Sequence, residues 1–148
     1  MPSTHTSLHY HLVFSTKDRV AMINSEWRDD LHSYLGGIVK KLQGVPVKIG
    51  GIEDHVHLLI GLKATHCLAD VLRDIKKGSS EWVHNELSRK MFSWQPGYAA
   101  FTVSPTSLHS VSSYIEKQEE HHKNKSFQTE YVEMLDAGFV EYDEQYLW

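Results

Sequence analysis

Hydrophobic and polar positions alternate, wind and alternate again along this chain. "SLHYHLVFST" (7–16), rich in aromatic and β-branched residues, predicts a strand. "SEWRDDLHSYLGGIVKKLQ" (25–43) opens with Ser25 as a candidate N-cap and sets Trp27, Leu31, Tyr34, Leu35, Ile38 and Leu42 at helical spacing. "GVPVKIGGI" (44–52) alternates with period two, Glu53-Asp54 makes a turn, and "HVHLLIGL" (55–62) returns as a mostly apolar strand, completing a hairpin. A second helical stripe, Leu68, Val71, Leu72, Ile75, Trp82, Val83 and Leu87, runs through 65–87 with Gly78-Ser79-Ser80 as an interruption where a new turn could start. Pro96-Gly97 turns into a fourth strand (96–104). A helix over 104–124 follows, with Ser104 or Thr106 as its cap, then a short helix over 127–136 and an extended aromatic tail.

The first six elements read β-α-β-β-α-β. That order predicts an α+β fold, a ferredoxin-like antiparallel sheet with helices on one face, plus a C-terminal helix carrying Tyr114. In this topology the first and third strands are central neighbours. No repeat, low-complexity stretch or Gly/Ser linker divides the chain, so one domain is expected over 1–148, with 137–148 as an acidic, aromatic tail that docks on the body or on a second subunit.

Composition narrows the picture. A chain of 148 residues, 41% hydrophobic, is long enough to build a core without staples. Cys67 is the only cysteine, which excludes a disulfide framework and a cysteine-based zinc cluster and favours a reducing compartment. With no basic-then-apolar leader and no apolar run near the roughly 20 residues of a membrane span, a cytoplasmic protein with no membrane partner is expected. The net charge of −4 gives nucleic-acid binding no support by itself. Its distribution does matter: residues 1–118 hold 13 Lys/Arg against 11 Asp/Glu, and residues 119–148 hold 2 against 8, so the acidity belongs to the tail.

The candidate chemistry begins with His55 and His57. On a strand both point the same way, with Val56 turned to the opposite face, so they make two corners of a metal site. His9 and His11 have the same spacing, which shows how weak the signal is alone. Tyr114 and Gln118, four residues apart on a helix, would approach a target together. Two imidazoles and an amide oxygen can hold a divalent cation without neutralising it, leaving its charge to polarise a phosphate oxygen, and a tyrosine can then attack a phosphodiester. A phosphotyrosine ester keeps the energy of the broken bond, so the ends can be rejoined without ATP. The sequence carries no Walker-type loop and no nucleotide cofactor is expected. His121 and His122 are rivals of Gln118 for the third ligand.

The stretches "YHLVFSTKDR", "EDHVHLLIGL", "IKKGSSEWV", "FSWQPGYAAFTVS" and "VSSYIEKQEEHHKNKSFQTEY" together resemble the single-tyrosine HUH transposases of small insertion sequences, in that family's order and over nearly the whole chain. The resemblance implies a DNA nicking and strand-transfer enzyme that acts on single-stranded DNA with hairpin ends. It also implies a homodimer, a magnesium or manganese ion, and a tyrosine helix that can be exchanged between subunits. Residue by residue, His55 and His57 match the HUH metal ligands, Gln118 the third ligand and Tyr114 the nucleophile of a 5′-phosphotyrosine link. His9 and His11 match no role. Phosphate contacts fall to Lys17, Arg19, Arg73, Lys76, Lys77 and Lys117, with Arg89, Lys90 and Lys123 behind them, and Trp82, Trp94 and Tyr98 are candidates for base stacking. Three other readings stand beside this one: a domesticated relative that processes chromosomal repeat hairpins, a non-catalytic metal- or nucleic-acid-binding module, and a transposase-like chain that has lost activity.

Overall fold

The computed structural model describes residues 3–148, so the domain expected over 1–148 begins two residues outside the described part. Strands β1 (Leu8–Ser15), β2 (Val45–Gly51), β3 (His55–Leu62) and β4 (Ala99–Thr102) form one antiparallel sheet in the order β2-β3-β1-β4. β1 and β3 are the central pair, in a register that sets Val13 opposite His57 and Ser15 opposite His55. This is the topology the element order predicts.

Alternation along the strands explains the layers. Leu12, Phe14, Val56, Leu58, Ile60 and Leu62 point to one face and form the main core with helices α1 (Ser25–Lys41) and α2 (Leu68–Glu86). The intervening residues face the other way. There Val13 and Ala99 pack with Phe127, Tyr131 and Leu135 of α5 (Phe127–Ala137), and Leu59 packs with Val103 and Ile115. The crossover helices thus share one face, and the C-terminal helices cover the other. Every residue of β3 is buried as a result, which is why its sequence reads as a nearly continuous apolar run rather than a clean alternation.

Three local features differ from the sequence reading. The N-cap of α1 is Asn24, whose side chain accepts from the Glu26 N–H at 2.9 Å, and Ser25 is the first helical residue. Helix α2 runs unbroken through Gly78-Ser79-Ser80. Gly78 lets Ile38 of α1 approach, since a Cβ there would lie 3.1 Å from Ile38 Cδ1. Buried Ser79 donates to the Ile75 carbonyl at 2.7 Å and accepts from Trp94 Nε1–H at 3.0 Å. Ser79→Ala should therefore cost about 1–3 kcal/mol, the penalty for a buried donor left without a partner; a lowered urea midpoint with an unchanged slope would register it.

The third difference positions the site. The helix expected over 104–124 is a 3-10 turn at Pro105–Ser107, then α3 (Leu108–Glu116), a break at Lys117 and a one-turn α4 (Gln118–His121). At the break the Lys117 N–H reaches back three residues to the Tyr114 carbonyl, tightening the turn and rolling Gln118 inward until it is buried. α3 rests on β2 where Gly50 lies beneath Ile115; a Cβ on Gly50 would sit 2.5 Å from the Ile115 carbonyl oxygen.

The tail docks on the body of its own chain. Tyr142 and Leu147 join the Phe127, Tyr131 and Leu135 cluster, and the Trp148 ring centroid lies 5.8 Å from that of Tyr131. Among the described residues no helix is long and apolar enough to cross a membrane.

Candidate active site

His55 and His57 project from β3 to the face covered by α3, α4 and α5, with neither side chain exposed and the ring centroids 5.0 Å apart. Each imidazole is held from behind. Asp54 Oδ1 accepts from His55 Nδ1–H at 2.7 Å, and His57 Nδ1 lies 2.8 Å from His11 Nε2. His11, which the resemblance leaves without a role, therefore orients one of the pair.

The remaining ring nitrogens meet the C-terminal helices. Gln118 Oε1 is 2.9 Å from His55 Nε2, and Gln118 Nε2–H donates to Glu130 Oε2 at 3.1 Å. Glu130, buried on α5, receives most of the remaining contacts. Its Oε1 lies 3.1 Å from His57 Nε2, 3.1 Å from His122 Nε2 and 3.3 Å from His55 Nε2. Its Oε2 accepts from the Tyr114 hydroxyl. Of the two rival histidines, His122 joins this cluster and lies 3.1 Å from Gln118 Oε1 as well, while His121 stacks on the Tyr114 ring at 4.6 Å.

Sequence reasoning missed Glu130, and it left His122 as a rival ligand. A signal for Glu130 was present: Phe127, Tyr131 and Leu135 form an apolar stripe, and position 130 falls on it, so a carboxylate there is turned toward the core.

The electrostatics follow from this packing. Burial disfavours a charged His55, but Asp54 and Glu130 outweigh it and raise its pKa to about 9. Burial keeps His57 below the ordinary imidazole range despite Glu130, and burial with the neighbouring His57 holds His11 down at about 3. Burial would raise Glu130, yet hydrogen bonds from His122, His55 and His57 hold it far below the carboxylate range. Tyr114 is pushed above its usual value, by burial first and then by Glu130, so it rests protonated.

These donors fit a divalent metal. Ligand atoms of His55, His122 and Glu130 lie within 4.8 Å of one another, and an octahedral ion with bonds of about 2.1 Å sets neighbouring ligands about 3 Å apart. Tyr114 is reachable. A cavity of about 370 Å³ lined by His11, Phe101, Val111 and Met134 opens on it, and a second of about 500 Å³ lies on the Gln118 side, edged by Arg28, Lys48, Lys117 and Lys123.

The six expected phosphate contacts do not form one patch. Lys17 and Arg19 share a 3-10 turn, where the Arg19 guanidinium lies 4.9 Å from the Trp148 ring centroid. Arg73, Lys76 and Lys77 sit on α2, across the sheet from Tyr114, and Arg73 is paired with Asp70 at 3.1 Å. Lys76 is tied to the Gln95 and Gly97 carbonyls, with burial lowering its pKa to about 8. Only Lys117 edges a cavity beside the site. Trp82 stacks on Tyr34 and Trp94 packs edge-on against Phe14, which leaves Tyr98 the most exposed of the three aromatic candidates.

Comparison with known proteins adds four findings. The family model described as "Transposase IS200 like" matches residues 4–118. The ISDra2 transposase TnpA of Deinococcus radiodurans is 27% identical over 117 residues, covering 75% of this chain and 84% of that protein. A crystal structure of a candidate transposase from D. radiodurans R1 is similar at a TM-score of 0.66 and 27% identity, over 80% of this chain and 95% of that one. A REP-associated tyrosine transposase bound to a REP hairpin is similar at a TM-score of 0.60 and 13% identity, over 82% and 74%, a likeness of fold.

Proposed function

Because the chain belongs to the IS200-like transposases, we propose that it cuts and rejoins single-stranded DNA through a phosphotyrosine on Tyr114, with a divalent metal held by His55, His57 and Gln118. The observation that carries this reading is the convergence on Glu130: the Tyr114 hydroxyl bonds one carboxylate oxygen while His55 and His57 face the other. The domain is the whole chain 1–148, acting as a homodimer on strands that end in hairpins. The hairpin seen with the fold relative supports that substrate class.

The chain's own groups account for most of the reaction. A scissile phosphate enters from the cavity lined by His11, Phe101, Val111 and Tyr114 itself. The Tyr114 proton already points at Glu130 Oε2, so an acceptor is in place as the phenol oxygen bonds to phosphorus. The bond from phosphorus to the 3′ oxygen breaks, and that oxygen leaves with the electron pair and takes up the proton. The 5′ phosphate stays on Tyr114. In the reverse direction a 3′ hydroxyl attacks, the tyrosine oxygen leaves, and the proton returns to it. His11 and Asp54 hold the two strand histidines in orientation throughout. A bound magnesium or manganese ion supplies Lewis-acid polarisation of a phosphate oxygen. Nitrogen donors suit manganese better than magnesium.

Incubation with single-stranded oligonucleotides copied from both flanks of the gene tests the reading on a denaturing gel. A covalent protein–DNA band should form with manganese, vanish with chelator and return when manganese is restored. Hairpin binding without a band, under either metal, would favour a non-catalytic module.

A further inference from the structure

The family match ends at residue 118, and two of the groups that crowd the imidazoles lie beyond it, on the segment 119–137. They add ligand atoms beside the strand histidines, since those of His55, His122 and Glu130 lie within 4.8 Å of one another. The Lys125 carbonyl, 2.6 Å from His122 Nδ1, can only accept, so that nitrogen carries the hydrogen. Asp54 imposes the same tautomer on His55. In both rings Nε2 then faces oxygens, Glu130 Oε1 at 3.1 and 3.3 Å and Gln118 Oε1 at 3.1 and 2.9 Å; a proton on Nε2 makes the hydrogen bonds to Glu130, and a metal ion in its place would take the same nitrogens and carboxylate as ligands. A buried carboxylate among three imidazoles needs positive charge beside it, which protons or one divalent ion can supply.

We infer that Glu130 and His122 are themselves ligands of the metal, so that the centre is a three-histidine, one-carboxylate site with His55 and His57, and that Glu130 ties the ion to the nucleophile. Oε1 faces the three imidazoles and Oε2 holds the Tyr114 hydroxyl. This rests on the proposed function for the identity of the site and revises it at one ligand, Gln118. A donor set of three imidazoles and one carboxylate selects a transition ion over magnesium. It also places one negative charge on the metal that a site of two imidazoles and an amide lacks. Gln118 then has a different part: its amide N–H holds Glu130 Oε2 in line beside Tyr114.

The test is manganese binding by the full-length, metal-free protein, followed by calorimetric titration and, for the ligand count, pulsed electron paramagnetic resonance. Glu130→Gln keeps the shape and removes the charge, and it should weaken manganese binding by at least about 100-fold, with Gln118→Ala costing under about tenfold. The loaded wild type should show three coordinated imidazole nitrogens, a count that needs no variant to fold. Two nitrogens, or an unchanged affinity in Glu130→Gln, would overturn the inference. So would a wild type that binds no manganese, because protons alone would then satisfy the acceptors. The two claims separate cleanly. A Glu130→Gln protein that binds manganese normally removes this inference and leaves the function to the wild-type adduct, and a wild type with three nitrogens but no adduct does the reverse.

Discussion

Tyr114→Phe is expected to yield no covalent protein–DNA band, with any metal and either flank, while the protein folds and binds hairpin DNA as before. The substitution removes one oxygen from a half-buried side chain. The ring keeps its stack on His121 at 4.6 Å and its place beside His57, with centroids 5.9 Å apart. Glu130 loses one donor but keeps the Gln118 amide and the imidazoles, so the stability cost should be about 1.5–3 kcal/mol, the range for a hydrogen bond to a charged group. Chemistry has no such reserve, because phenylalanine offers no atom that can bond to phosphorus. Cleavage and strand transfer should both disappear, since the second step consumes the product of the first. An adduct formed by the phenylalanine variant would assign the nucleophile to another residue.

Gly50→Ala should impair the same reaction without touching a reacting group. The added methyl would lie 2.5 Å from the Ile115 carbonyl oxygen and 2.9 Å from Ile115 Cγ2. Ordinary contact requires α3 to retreat from β2 by roughly 1 Å. Ile115 is next to Tyr114, so the hydroxyl moves with it, and a displacement of about 1 Å is enough to cost about 100-fold in rate. Gly37→Ala on α1 is the matched control. Beyond its own helix backbone and chain neighbours, no described atom lies within 4 Å of a Cβ there, and the change should stabilise the helix by about 0.5–1 kcal/mol with cleavage unaltered. A single-turnover time course of adduct formation separates the two, and equal rates would mean that α3 is not seated by its contact with β2.

Much of this was legible because periodicity reports faces. The strand pattern put His55 and His57 on one side of β3, and the order of elements put β1 beside it; both stand in the structure. Tyr114 and Gln118 were paired on the assumption of a continuous helix. They do converge, but through the break at Lys117, which local sequence does not announce. Glu130 was hidden by composition: among eight acidic residues in 119–148 it looks like one more solvated charge. The apolar stripe of α5 contradicts that appearance, and stripe position outweighs net charge as a guide to burial. Basic residues were the least readable, since whether a lysine faces DNA or ties down a turn, as Lys76 does, depends on contacts across long sequence separations.

The sheet face that carries His55 and His57 is covered by helices that follow it in the chain, and His57 meets Glu130 across 73 residues. Loop closure of that span is entropically unfavourable until the intervening chain has ordered. As the polypeptide grows, α1 and α2 can seal their side of the sheet once β4 has been made, whereas Val13, Leu59 and Ala99 wait for α3 and α5. Chemical competence therefore arrives with the last act of folding, and a nascent chain that already holds its strand histidines cannot yet assemble the centre that would cut DNA.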